Sequence, residues 1–171
     1  MSKAVMLSIR PKWCEKIASG EKTIEVRKTR PKLDTPFKCY IYCTLPKYPH
    51  EDFIATDYPR PQFYGGGKVI GEFVCDCVTP LYNVCMDDWK RLTGGLHNIE
   101  KELVNQACLT EAKLHTYAGG KNCFAWHISN LKIYDVPRDL SEFIGLRDTK
   151  FGAAPYEIKR PPQSWCYVEA M

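Results

Sequence analysis

The chain has 171 residues, 44% of them hydrophobic and 26% charged, with a formal net charge of +4. That is one globular domain of ordinary size, 1–171, able to build a core without staples; it excludes disordered and collagen-like classes. No apolar run reaches the ~18–20 residues of a membrane span, and MSKAVMLSIRPKW carries no signal-peptide apolar region, so the expectation is a cytoplasmic protein without membrane association.

In chain order, Ala4–Ile9 alternates, with Val5, Leu7 and Ile9 on one face, as a strand does. Arg10 precedes Pro11 and is held extended; Pro11 suits the first turn of a helix with Trp13, Cys14, Ile17 and Ala18 on one stripe. Gly20 ends it. A second strand over 23–28 sets Ile24 and Val26 against Thr23, Glu25 and Arg27. Strands follow at 37–44, 67–78, 122–128, 131–136 and 164–169, with Ser129-Asn130 as a bulge or bend. Helical stretches are expected around 87–92, 97–106 and 110–118, the last with Leu114 and Tyr117 on one face, and a short turn after Pro137. Residues 45–66, rich in prolines and aromatics, and 145–163, ending in Arg160-Pro161-Pro162, show no period and read as long loop insertions. The sum is a mixed α/β (α+β) domain around a barrel-like, largely antiparallel sheet.

Charge is uneven. Residues 1–38 carry ten Lys/Arg against four Asp/Glu, a net of +6, and the rest a net of −2. A basic end points to an anionic partner, with nucleic acid the usual one; a solvated lysine surface is the competing explanation. The nine cysteines sit mostly in apolar stretches and read as free, buried thiols of a reducing compartment. Histidines 50, 97, 115 and 127 form no zinc-binding pair, and no P-loop, G-x-G-x-x-G or G-x-S-x-G is present, so neither metal nor cofactor is expected.

The most informative stretch is MLSIRPKWCEKIASGEKTIEVRKTRP, Met6–Pro31. Strand, short helix, then G-x-K-x-x-E-x-R (Gly20, Lys22, Glu25, Arg27) resembles the signature of the ASCH domain, of the PUA-like superfamily. GKVIGEFVCD, FAWHISNLKIYDVP and RPPQSWCYVE downstream are similar in order. The resemblance implies a β-barrel with helices around it, a cleft beside the motif, and binding of RNA or of nucleobases.

Chemically, Arg27 offers a rigid donor fork suited to phosphate, and Lys22 a point charge or, if desolvated, a nucleophile or base. Glu25 could hold the cations or accept from a base edge. Arg10 and Lys12 extend the basic rim. Trp13 and Trp165 are candidate stacking platforms, with Tyr64 from the long loop; Trp126, alternating with Phe124 and Ile128, reads as core. The expected function is therefore an RNA- or nucleotide-binding module. An alternative is a hydrolase using Lys22 and Glu25. Some ASCH-type proteins deacylate acetylated cytidine with Lys, Thr and Glu, but here Ile24 or Glu25 stands in the Thr position. The other hydrolase form is a metal-assisted ribonuclease, for which Glu25, Glu72 and Asp76 are the carboxylates available. A protein-interaction role for 45–66 is a third possibility.

Overall fold

The computed structural model describes residues 2–45, 53–55, 62–64, 66–81 and 98–171. The expected helix at 87–92 lies outside them, as does most of the stretch 45–66. A seven-stranded sheet has the order β11-β10-β12-β1-β3-β6-β9, where β1 is Lys3–Ile9, β3 Phe37–Cys43, β6 Lys68–Cys75 and β9 Ser129–Arg138. Its other members are β10 (Ile144–Thr149), β11 (Gly152–Glu157) and β12 (Trp165–Glu169). β1 runs parallel to β3, and the remaining neighbours are antiparallel. A second, three-stranded sheet places β2 (Ile24–Arg27) beside β8 (Cys123–His127), and β8 beside β7 (Val78–Leu81). β4 (Phe53–Ala55) and β5 (Gln62–Tyr64) pair with each other, so part of 45–66 is a strand pair where the sequence suggests an irregular loop.

Period-two alternation explains why the middle of the large sheet, β1, β3 and β6, is buried on both faces. On β1, Val5, Leu7 and Ile9 join Phe37, Ile41, Ile70, Phe73 and Trp126 in one core, while Ala4 and Met6 join Tyr40, Phe143 and Val168 in another. A third core forms between β2 and β8 and the helices α2 (Asn98–Gln106) and α3 (Glu111–Ala118), through Ile24, Val26, Leu103, Leu114 and Ala125. The remaining helix, α1 (Pro11–Ala18), buries Cys14 and Ile17 in the first core. Both α3 ends match their residues: Thr110 accepts from the Lys113 backbone amide, and Gly119 takes the left-handed conformation at φ 56°.

The fold is thus mixed α+β. The strand pairing among the described residues closes neither of these two sheets, so it shows the mixed α+β layers but not the closed barrel expected from the sequence. The chain changes sheet at Ile128. β8 pairs with β2 and β7, whereas β9, starting one residue later with Asn130 at φ 48°, pairs with β6. The bend expected at Ser129-Asn130 is therefore a switch between sheets. The strand expected over 67–78 breaks at Asp76-Cys77, and β7 continues in the other sheet.

Residues 145–163 also differ from expectation. They carry the hairpin β10–β11, closed by Thr149, whose hydroxyl donates to the Gly152 carbonyl at 2.7 Å. Its strands are mostly exposed on both faces, so no apolar alternation marks them, and Pro155 sits on the sheet edge where its missing N–H costs no ladder bond.

The thiols of Cys14, Cys39, Cys43 and Cys75 lie within the first core, as small apolar groups. Burial pushes the Cys75 thiol up to about 12. Cys77 departs from the buried thiols expected from the sequence: it lies beyond the end of β6 and is exposed. Among the described residues no group of three or more His, Cys, Asp or Glu could hold a metal ion. No helix among them is long and apolar enough to cross a membrane.

On the second core's side, Glu72 accepts from the Tyr134 hydroxyl at 2.7 Å and pairs with Lys38. Burial raises its carboxyl, but the Tyr134 hydrogen bond and Lys38 outweigh this and hold it below the ordinary value of 4.5. A depressed folded value means the contribution of Glu72 is in place above 4.5 and is lost as pH falls through the folded value. Urea unfolding from pH 7 to 3 should show Glu72→Gln less stable than wild type at neutral pH, with the gap closing in acid.

Candidate functional site

The motif residues meet where the two sheets adjoin. Gly20, at φ 77° with open space around it, reverses the chain after α1, and the Lys22 amide then donates to the Lys16 carbonyl at 2.8 Å. This turn delivers Lys22 and β2 beneath the α2–α3 connection. On β2, Ile24 and Val26 face the helices, so alternation sends Glu25 and Arg27 to the opposite side.

All three charged side chains are buried: Lys22 is 3% exposed, Glu25 7% and Arg27 7%. A solvated surface pair is thereby ruled out. The Lys22 ammonium donates to the Ile24 carbonyl at 2.6 Å and the Ala107 carbonyl at 2.9 Å, and lies 3.3 Å from Glu25 Oε2. It also sits 5.3 Å from the centre of the Trp13 ring. Glu25 Oε1 pairs with Arg27 Nη2 at 3.0 Å, and Nη2 donates to the Ser8 carbonyl at 2.8 Å. Arg27 Nη1 reaches the Ser164 carbonyl and hydroxyl, both at 3.3 Å, while its buried Nε has no acceptor among the described residues. Arg27 thus ties β2 of the small sheet to β1 and to the entry of β12 in the large one.

These groups floor a pocket of about 680 Å³. Arg10, Trp13, Lys22, Glu25 and Arg27 line it, together with Ser8, Thr44, Lys113, Tyr117 and the Pro161–Gln163 segment. That segment is pinned by the Ser8 hydroxyl, which donates to the Pro162 carbonyl at 2.6 Å. Burial pushes the Tyr117 phenol above its ordinary value against the pull of Arg27, so its hydroxyl stays protonated at neutral pH. Burial, and then the neighbouring Cys43 thiol, push Cys14 well up, leaving it an inert thiol near Glu25 and Arg27.

The structure therefore brings Arg10, Trp13, Lys22, Glu25 and Arg27 together. Lys12 is outside the lining, with its ammonium 5.4 Å from the Trp13 ring centre. Trp165 is also outside it, packed 6.2 Å from Trp126 and 5.3 Å from Tyr167 by ring centres, with its Nε1 donating to Thr29 Oγ1 at 2.9 Å. Trp126 is fully buried in the core, as its alternation indicates. Tyr64 belongs to β5. Glu72 is held by Tyr134 and Lys38 away from Glu25.

Sequence reading missed Ser8, Thr44, Lys113 and Tyr117. Lys113 and Tyr117 are four apart on α3, a spacing that puts them on one helix face, but nothing in the sequence says that this face meets β2. The expectation that Tyr117 shares Leu114's face also fails: Leu114 is buried while Tyr117 is 41% exposed, with Lys28 Nζ 5.2 Å from its ring centre.

Fold and site together define a mixed α+β domain with a charged pocket at the junction of its sheets. A model of the ASCH domain matches residues 7–135, and the chain belongs to that family. No curated protein matches it in sequence. Among solved structures it is similar to ASCH from Zymomonas mobilis, with TM-score 0.60 and 19% identity over 97% of this chain and 87% of that one. A serine-to-alanine mutant of that Zymomonas mobilis protein gives 0.57 and 18% over 97% and 88%, and a tyrosine-to-phenylalanine mutant 0.53 and 17% over 98% and 91%. These likenesses are of fold.

Proposed function

We propose that this chain binds RNA or a nucleotide in the pocket around Lys22, Glu25 and Arg27. The observation that carries this reading is the lining itself: the exposed cations Arg10 and Lys113 above the buried Lys22–Glu25–Arg27 cluster, with Glu25 the single carboxylate among the described lining residues, and the rings of Trp13 and Tyr117. The volume lies within the ~300–1,000 Å³ of small-ligand sites, cations suit phosphate, and aromatic faces suit an unstacked base.

The hydrolase reading draws less support. A lysine acting as nucleophile or base needs a free lone pair. The Lys22 nitrogen is engaged inside the protein, donating to the Ile24 and Ala107 carbonyls and paired with Glu25, rather than aimed at a guest in the pocket.

Isothermal titration with nucleoside monophosphates and short single-stranded RNA tests the proposal. Binding is expected at low salt and should weaken as salt rises, because phosphate contacts release counterions. Arg10→Ala and Lys113→Ala, both at exposed rim positions, should each weaken it by about three- to tenfold without unfolding the protein. A folded sample that binds none of these ligands at low salt overturns the proposal, and chromatographic evidence of turnover would favour the hydrolase.

A further inference from the structure

We infer that the pocket takes its base with an amino-bearing edge down against Glu25 and its phosphate up at the rim, and so favours cytosine, adenine or guanine over uracil. The inference rests on the binding function proposed above and specifies which ligand that same site selects.

Counting donors and acceptors leads there. The two buried cations, which look like phosphate ligands, have spent their terminal hydrogens inside the protein. Lys22 donates to the Ile24 and Ala107 carbonyls and is ion-paired with Glu25. The terminal nitrogens of Arg27 are taken by Ser8, Glu25 and Ser164. The remaining Nε–H is fully enclosed.

Glu25 is the opposite case. Each carboxylate oxygen is ion-paired with one cation, Oε1 with Arg27 at 3.0 Å and Oε2 with Lys22 at 3.3 Å. An ionised carboxylate has about four acceptor positions, so roughly two remain. The side chain is 10% exposed and lines the pocket, so its free acceptor capacity opens to a guest. The floor thus asks for hydrogen-bond donors.

The rim asks for an anion. Arg10 and Lys113 line the pocket, are exposed, and enter no salt bridge among the described residues. A nucleotide has both features at opposite ends. The exocyclic amines of cytosine, adenine and guanine are donors that a carboxylate accepts from. Uracil has only its ring N–H on that edge, flanked by two carbonyls whose lone pairs would face the carboxylate. Trp13 and Tyr117 contact base faces of any kind, so discrimination falls to Glu25.

Isothermal titration of CMP, AMP, GMP and UMP into the folded protein at low salt tests the inference. The three amino-bearing nucleotides should bind about tenfold or more tighter than UMP. CMP with both amino hydrogens replaced by methyl groups should bind as weakly as UMP. Glu25→Gln, whose amide also donates, should narrow the preference while rim-driven binding persists. If that variant fails to fold, the order of the five ligands on wild type decides. Equal affinities, or UMP the tightest, overturn the inference and leave the binding function standing. Failure of all ligands to bind overturns both.

Discussion

Replacing Lys22 with Met should lower the unfolding free energy by about 3–5 kcal/mol, the usual loss when one partner of a buried ion pair is removed. Met keeps an apolar stem as far as Cε and removes the ammonium together with its contact on the Trp13 ring, so the loss reports on the ammonium. Without it, the Ile24 and Ala107 carbonyls lose a donor at 2.6 Å and 2.9 Å, and Glu25 keeps only Arg27. An orphaned buried acceptor alone costs roughly 1–3 kcal/mol. Urea denaturation of Lys22→Met beside wild type measures the effect. A loss under about 1 kcal/mol, typical of exposed pairs, would mean that the ammonium is solvated and the site more open than described. The result also bears on activity assays, because a Lys22 variant that loses function through instability says nothing about a chemical role for the amine.

Arg27→Lys should cost about 2–4 kcal/mol although it keeps the charge. The guanidinium fork reaches Ser8, Glu25 and Ser164 together, and so joins three segments from two sheets. A lysine ammonium is a point charge on a flexible stem and cannot span them. The Pro161–Gln163 wall depends on the same brace, since Ser8 also holds Pro162. Hydrogen exchange should therefore quicken at the Ser8 amide, which donates to the Ser164 carbonyl at 3.0 Å, and nucleotide affinity should fall with it. Stability equal to wild type would show that charge alone is needed at this position.

Much of this arrangement was legible along the chain. Strict alternation in β1 and β2 assigned each side chain a face. Pro11 and Gly20 bracketed α1, and the spacing of Glu25 and Arg27 put both on one side of a strand. Such features depend on contacts within a few residues, which local sequence records. The β10–β11 hairpin was not legible, because strands exposed on both faces carry no apolar period. Neither was the exclusion of Trp165, whose ring is drawn to Trp126, Tyr167 and Thr29 by packing that spacing along the chain does not encode.

By itself, the sequence determined the order of the elements, the faces of the early strands and the residue types of the motif, since backbone periodicity and turn chemistry act over short range. Whether Lys22 and Arg27 would be free cations or internal braces was decided only by tertiary structure. Their partners, Ala107 and Ser164, lie 85 and 137 residues away, and only the packing of α2 and β12 brings those carbonyls within reach. The same packing turned a basic motif into a floor of acceptors beneath a rim of cations.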